Sequence, residues 1–420
     1  MRKAKNIFAN IDITTIILFL ALVVFGWVNI YASQFNDDMQ FTLDFSTRYG
    51  KQLYFIIFSI FCGFLTLIID WKFYYSLSYI LYGLMIISLI VVLIIGGVTG
   101  GATSWFELGG LKFQPSEFAK FTTALAVAKF FNMQHSKNKK VKTKIYSYII
   151  ILIPCLLIIL QNDVGTALVF SAFILVLYRE GLSINILFLI LITAILFLLS
   201  LLLDQKILIY IFSIIAVVSL LFFRFNKKDL LTISVIWLVS VIFISGANYF
   251  VYDILAPHQS KRIDVLLGKE FDPYGAGYNL IQSKIAIGSG GSWGKGFLNG
   301  TQTRFDFVPE QSTDFIFCTI GEEWGFVGSL LFISLFIGLI CRIVFLAERQ
   351  RSNYSRIYGY SVACILFVHF VINIGMTIGL LPTIGIPLPF ISYGGSSLLG
   401  FTTLLFIFLN LDSYRLDILR

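Results

Sequence analysis

The chain alternates long apolar runs with short polar connections. As a helix, a run of about 20 residues covers about 30 Å, the thickness of bilayer hydrocarbon. Runs near 13–32, 52–70, 76–97, 115–132, 145–161, 164–178, 185–203, 207–223, 230–250, 315–346, 357–379 and 394–411 predict twelve transmembrane helices with both termini on one side. The apolar–polar alternation of a membrane β-barrel is absent from the pattern. The expected fold class is therefore all-α, a polytopic membrane protein. The first run is about 20 residues long and lacks a small-residue cleavage site, so it reads as a retained helix rather than a signal peptide.

Composition agrees with this reading and narrows the function. Of 420 residues, 58% are hydrophobic and 13% charged. Soluble globular proteins carry about 25% charge, so an ordinary cytosolic enzyme is excluded, as are a disordered chain and a disulfide scaffold. The formal net charge of +8 would suggest nucleic acid in a soluble protein. Here its placement marks topology, and no nucleic-acid partner is expected. With Arg2, Lys3 and Lys5 in the cytoplasm, the connections His135–Lys144, Arg224–Asp229 and Ala347–Arg356 fall inside too, and that side gathers 19 of the 31 basic residues. The long segment 251–312 then lies outside, where long loops are exempt from the positive-inside bias.

Five cysteines (Cys62, Cys155, Cys318, Cys341, Cys364) are scattered without CxxC spacing and read as small buried hydrophobes. The histidines His135, His258 and His369 form no metal-ligand spacing.

A charge at the bilayer centre costs about 2.5–3.5 kcal/mol on insertion scales, so polar clusters in so apolar a chain call for a reason. Four stand out: Gly100–Lys120, Gln161–Thr166, Ala256–Glu323 and Leu381–Ser397. In the predicted topology all four open on the outer face, and one shared site is the economical explanation.

In the first cluster, Pro115 suits the first turn of a helix, and Glu117 and Lys120 share a helical face within ion-pair reach. In the second, Asp163 reads as an N-cap. In the fourth, Pro382, Pro387, Pro389 and the Gly394–Gly395 pair break the helix at membrane depth, as a cavity lining would. The third carries the cations Lys261, Arg262, Lys269, Lys284, Lys295 and Arg304, the acids Asp264, Asp272, Asp306 and Glu310, and a glycine-rich run, IAIGSGGSWGKG. That run could cradle phosphate, but it is neither a P-loop nor a GxGxxG after a strand; a flexible loop is an equal reading. Residues 326–346 suffice to span the membrane, which leaves Asp314–Gly325 as a helix start at the outer interface. Asp314 there reads either as a general base with a pKa raised by desolvation or as a helix-terminal carboxylate.

Five segments, GATSWFELGGLKFQPSEFAK, QNDVGTAL, YNLIQSKIAIGSGGSWGKG, VPEQSTDFIFCTIGEEWGF and PLPFISYGGSS, occur in the order and spacing of the SEDS family, the shape, elongation, division and sporulation proteins typified by RodA and FtsW. The chain resembles that family over nearly its whole length, and GIPLPFISYGG resembles the RodA branch. The resemblance implies a single membrane domain over 1–420, with ten core transmembrane helices, an extra hairpin at 185–223 and an extracytoplasmic loop at 251–312.

It also implies a peptidoglycan glycosyltransferase of the bacterial cytoplasmic membrane, polymerising lipid II on the extracytoplasmic face during cell elongation. Its partners would be lipid II and its undecaprenyl diphosphate leaving group, a class B penicillin-binding protein and the elongation machinery. Asp314, matching the family's essential aspartate, would be the catalytic base. Lys120 and Arg262, with Lys112, Lys284 or Arg304, would hold diphosphate charge, and Trp105 would stack on a sugar. Glu117 and Glu310 would orient these groups, and Gln282, Ser283, Tyr393 and Ser396 complete the expected substrate contacts.

No cofactor is expected: there is no DxD motif, and a lipid diphosphate held by Lys and Arg does not require a divalent cation. The chain departs from the family pattern at Ser104, Asn162 and Ser312, where relatives usually carry Arg, Pro and His. Rival readings are a lipid II flippase, which would need charged cavity residues through both halves of the bilayer, and a scaffold without chemistry.

Overall fold

The computed structural model describes residues 10–35, 43–99, 101–108, 111–134, 141–222, 227–254, 257–269, 275 and 277–415. Arg2, Lys3, Lys5, His135, Arg224 and Asp272, named above, lie outside them, as do Gly100 and Ala256 at the edges of two polar clusters. The helices are α1 (Ile13–Ala32), α2 (Arg48–Ile68), α3 (Trp71–Ile95), α4 (Pro115–Gln134), α5 (Val141–Leu160), α6 (Val164–Val169), α7 (Ala172–Arg179), α8 (Ile184–Leu202), α9 (Gln205–Phe222), α10 (Lys227–Tyr249), α11 (Pro257–Leu266), α12 (Tyr278–Ser289), α13 (Thr301–Arg304), α14 (Ile316–Glu348), α15 (Asn353–Thr377) and α16 (Gly395–Ser413).

The polar connections start helices where the apolar runs begin. Asp12, Thr47, Asp70, Asp163 and Ser183 each accept a hydrogen bond from a backbone N–H of the first turn, satisfying donors that no helix can satisfy itself. Pro115 opens α4, where its missing N–H costs nothing.

Among the described residues, eight helices are long and apolar enough to cross a membrane, and the stretches Ile145–Leu160, Val164–Arg179 and Gln205–Leu221 are apolar but shorter. The chain is an all-α polytopic membrane protein by this architecture. Helix α4 has 20 residues but carries Glu117, Lys120 and Lys129, and it is not among the eight.

Three features differ from the hydrophobic pattern. Residues 97–113 form a small antiparallel sheet, β1 (Gly97–Thr99), β2 (Ala102–Leu108) and β3 (Leu111–Phe113), in the order β1-β2-β3. Its register places Trp105 opposite Gly97 and Glu107 opposite Lys112. The run 164–178 is broken between α6 and α7. Asn162, just before it, has φ 60. Asparagine tolerates that left-handed backbone, whereas a proline ring, fixed near −65°, could not adopt it. The loop 251–312 is not extended chain: it holds a π-helical turn at Phe250–Ile254 and helices α11, α12 and α13.

The cysteines are free, but the expectation that all are buried is corrected. Cys318 is buried, Cys341 is exposed and the others are half-buried. An apolar side chain on a bilayer-spanning helix loses nothing by facing lipid.

The chain folds as two compact units. One comprises residues 178–278. In it α10 packs on α8 and α9 around Leu196, Leu208 and Ile244, and Trp237 donates to Ser213 Oγ at 3.0 Å. The hairpin expected at 185–223 lies in this unit. The other unit, residues 1–177 and 279–420, packs α16 on α2, α15 on α4 and α14, and α1 on α14. Asn373, His369, Lys120 and Glu117 are buried in its interior.

Candidate active site

Within the larger unit, the first, second and fourth polar segments and residues 279–323 of the third are tied to one another by hydrogen bonds. Gln114, just before α4, donates to Asp163 Oδ2 at 2.9 Å, and Thr103 N donates to Gln161 O at 3.0 Å. These bonds link the first cluster to the second. Ser396 donates to Lys112 O at 2.9 Å and accepts from Gln114 N at 3.3 Å, linking the first to the fourth.

The closest joining is between the third and fourth. Three successive carbonyls, Ser312, Thr313 and Asp314, accept from Tyr393 N at 2.8 Å, Ser392 Oγ at 2.6 Å and Asn373 Nδ2 at 2.8 Å. Asn373 also donates to Ile386 O at 2.7 Å, and Ser392 Oγ accepts from Leu388 N at 2.8 Å. The proline-rich backbone cannot form a helix, and its orphaned groups are satisfied by these partners instead. Asp314 is therefore held through its main chain, with its side chain half-buried. Across from it, Gly385 has φ +74, and a methyl there would stand 3.2 Å from Asp314 Oδ2. Glycine meets both demands of that position.

Cations border this segment. Arg48, at the start of α2, donates to Ser312 Oγ at 2.7 Å. Among the described residues it has no carboxylate partner. Burial pushes the Tyr393 phenol above its ordinary range, with the Arg48 charge opposing. Gln52, one turn beyond Arg48, accepts from Gly394 N at 3.1 Å. Lys284 is exposed on α12, beside Gly379, and has no ion-pair partner among the described residues.

Several expected substrate contacts also have partners within the fold. Lys120 is 2% exposed, 2.7 Å from Glu117 Oε2 and 3.0 Å from His369 Nε2, with its ammonium 4.4 Å from the centre of the Phe401 ring. Its ammonium thus has two polar partners and an aromatic face around it. Ser283 is buried and donates to Thr377 O at 3.0 Å. Lys112 pairs with Glu107 across the β2–β3 hairpin at 3.0 Å, both half-exposed. Glu310 accepts from Thr313 Oγ1 at 2.8 Å and from Phe315 N at 3.1 Å, which shapes the turn before α14. Trp105 is half-buried in β2, Gln282 half-buried on α12, and Arg304 lies 6.0 Å from the Phe35 ring. Arg262 is on α11, in the other unit.

The glycine-rich run is also structural. Glu322, fully buried, accepts from Lys295 Nζ at 2.7 Å and from Gln302 N and Thr303 N at 2.9 Å each. Lys295 N and Gly296 N donate to Glu322 O and Glu323 O, and Phe326 N donates to Gly291 O. Gly325 interrupts α14 with φ 63, which separates Ile316–Trp324 from the long apolar remainder. A Cβ there would stand 2.2 Å from Gly294 N. The glycines permit two backbones to touch, and Lys295 is already paired, so the phosphate-cradle reading loses its cation.

Four residues near this site carried no functional expectation in the sequence. Arg48 and Gln311 are two of them; Gln311 is buried and donates to Ser33 O and Thr303 O, both at 2.7 Å. His369 and Asn373 are polar residues inside the apolar run 357–379, and that cost was the available signal.

A helical membrane protein whose helix-breaking loops converge on one half-buried aspartate, with cations alongside, is the class this architecture defines. The FtsW/RodA/SpoVE cell cycle protein family model matches residues 13–211 and 198–416, and the chain belongs to that family, the one its motifs resemble. It is 36% identical over 336 residues to the peptidoglycan glycosyltransferase MrdB of Escherichia coli K12, covering 80% of this chain and 77% of the relative. It is 31% identical over 416 residues to the peptidoglycan glycosyltransferase RodA of Treponema pallidum, covering 93% and 94%. Among solved structures, it matches a chain from a study of polymerization and crosslinking by a peptidoglycan synthase complex, with TM-score 0.68, 27% identity and 96% and 98% coverage. The rod shape determining protein RodA of Thermus thermophilus shares the fold at TM-score 0.61, with 22% identity over 96% of this chain and 97% of the other.

Proposed function

We propose that the chain is a peptidoglycan glycosyltransferase that polymerises lipid II on the outer face of the bacterial cytoplasmic membrane. The relatives named as peptidoglycan glycosyltransferases support the activity. The observation that carries the mechanism is Asp314, its backbone held by Tyr393, Ser392 and Asn373, its carboxylate half-buried. A carboxylate that is not fully buried can meet a substrate hydroxyl, and the rigid backbone keeps it aimed.

In the reaction, the 4-hydroxyl oxygen of an acceptor GlcNAc attacks the anomeric carbon of a MurNAc. A new glycosidic C–O bond forms as the bond to undecaprenyl diphosphate breaks, and the anomeric centre inverts. Asp314 takes the hydroxyl proton, and the diphosphate leaves with the bonding electron pair. A diphosphate is stable as an anion, so one carboxylate suffices and no general acid is required. Arg48 and Lys284, neither paired with a carboxylate among the described residues, are the cations in this unit best suited to stabilise the leaving charge. Arg304 completes the candidates in this unit.

That the matched structure belongs to a peptidoglycan synthase complex coordinating polymerization and crosslinking supports a class B penicillin-binding protein as partner here, in the elongation machinery. The segment 185–223 is the extra transmembrane hairpin of this reading. Polymerisation of labelled lipid II by the purified chain, alone and with its cognate penicillin-binding protein, tests the proposal. Glycan chains from the wild type and none from Asp314→Ala are expected, and equal chains from both would refute the assignment.

A further inference from the structure

Lys120 and His369 meet in the interior of the larger unit, Nζ to Nε2, at 3.0 Å. Lys120, 2.7 Å from the Glu117 carboxylate, is the ammonium half of an ion pair. An ammonium has three donors and no acceptor, so His369 Nε2 must offer a lone pair. The other ring nitrogen, Nδ1, lies 3.3 Å from Pro387 O. A carbonyl only accepts, so Nδ1 must carry the hydrogen. One state of the ring satisfies both neighbours, the neutral Nδ1–H tautomer, and the hydrogen bond at one nitrogen sets the state of the other. The Phe401 ring packs edge-on against the imidazole, 4.8 Å between centroids.

One turn along the same face of α15, Asn373 donates to Ile386 O and to Asp314 O. Two adjacent carbonyls of the proline-rich loop, 386 and 387, are thus gripped from one helix, and one of the two grips also holds Asp314. The loop passes the Asp314 carboxylate at Gly385, where a methyl would be only 3.2 Å from Oδ2, so small shifts of the loop reach the carboxylate.

We propose that His369 is a positioning residue for Asp314. Lys120 fixes its tautomer, the Nδ1–H holds the loop through Pro387, and the loop and Asn373 hold the aspartate. On this account the buried Glu117–Lys120 pair serves the reaction without touching substrate. The inference rests on Asp314 being the base of the glycosyltransferase reaction.

The test has two arms. The first is nitrogen-15 NMR of histidine-labelled wild-type protein in lipid nanodiscs. The chain has three histidines, and the His369 signals are those lost in His369→Gln. The expected signature is a neutral ring protonated on Nδ1. A ring protonated on Nε2, donating to a neutral Lys120 amine, or a doubly protonated ring would overturn the proposal. This arm needs neither activity nor a folded apolar variant.

The second arm is lipid II polymerisation. A glutamine side chain has an oxygen to accept from Lys120 and an amide to donate to Pro387 O, so His369→Gln should keep kcat within about threefold. His369→Leu can do neither. Its kcat should fall about 30-fold with KM for lipid II within about twofold, as expected when a reacting group is displaced by less than about 1 Å. A leucine variant with wild-type kcat, or one whose KM alone rises, would overturn the positioning role. A wild-type chain that makes no glycan overturns the functional reading instead, and the tautomer arm separates the two failures.

Discussion

Asp314 and Glu322 are carboxylates eight residues apart, one just before α14 and one at the end of its second turn, and both belong to the third polar cluster. Their surroundings are opposite. Asp314 is fixed through its main-chain carbonyl and keeps a half-buried carboxylate. Glu322 is fixed through its carboxylate, which collects Lys295 and two backbone N–H groups with no exposure at all. A carboxylate that must exchange a proton with substrate needs a rigid backbone and an accessible head. One that joins a loop to a helix has its head consumed by the joining.

The contrast predicts opposite mutant behaviour. Removing Glu322 leaves Lys295 and two loop N–H groups without their acceptor, so Glu322→Ala should lower unfolding stability by about 3 kcal/mol. Denaturant or thermal unfolding in detergent measures it, and a wild-type midpoint would break the contrast from the structural side. The next largest effect falls on the grip beneath Asp314. Asn373→Leu strips donors from two carbonyls and should cost about 2 kcal/mol, with kcat for glycan synthesis falling about tenfold. Loss of stability without loss of kcat would mean that the main-chain hold on Asp314 is irrelevant to turnover. The smallest effect belongs to the half-exposed Glu107–Lys112 pair on the hairpin. Glu107→Gln should shift stability by less than about 0.5 kcal/mol, since solvent screens such pairs.

The helices were legible because bilayer-length apolar runs leave few alternatives, and two of their starts because Asp163 and Pro115 are suited to first turns. The break at Gly325 follows from the surplus length of 313–346. The site was legible in part. Glu117 and Lys120 lie three apart on one helix, a local relation that spacing reveals. Arg48 and Ser312 are 264 residues apart, and only the tertiary fold brings them together. The sheet at 97–113 was hidden because three short strands depend on their neighbours more than on propensity. The surroundings of Lys120 were hidden for a related reason: a cation in an outward-facing cluster looks available until His369 and Phe401 are seen around it.

The central claim is that Asp314 is chemical where Glu322 is structural, and one substitution tests it most directly. Asp314→Asn keeps the size and polarity of the side chain and every main-chain bond to Tyr393, Ser392 and Asn373, but removes the proton acceptor. The account predicts a rate of glycan synthesis from labelled lipid II lower by about 10²–10⁴-fold, the range for losing a general base. An Asp314→Asn protein that polymerises lipid II at the wild-type rate would contradict it.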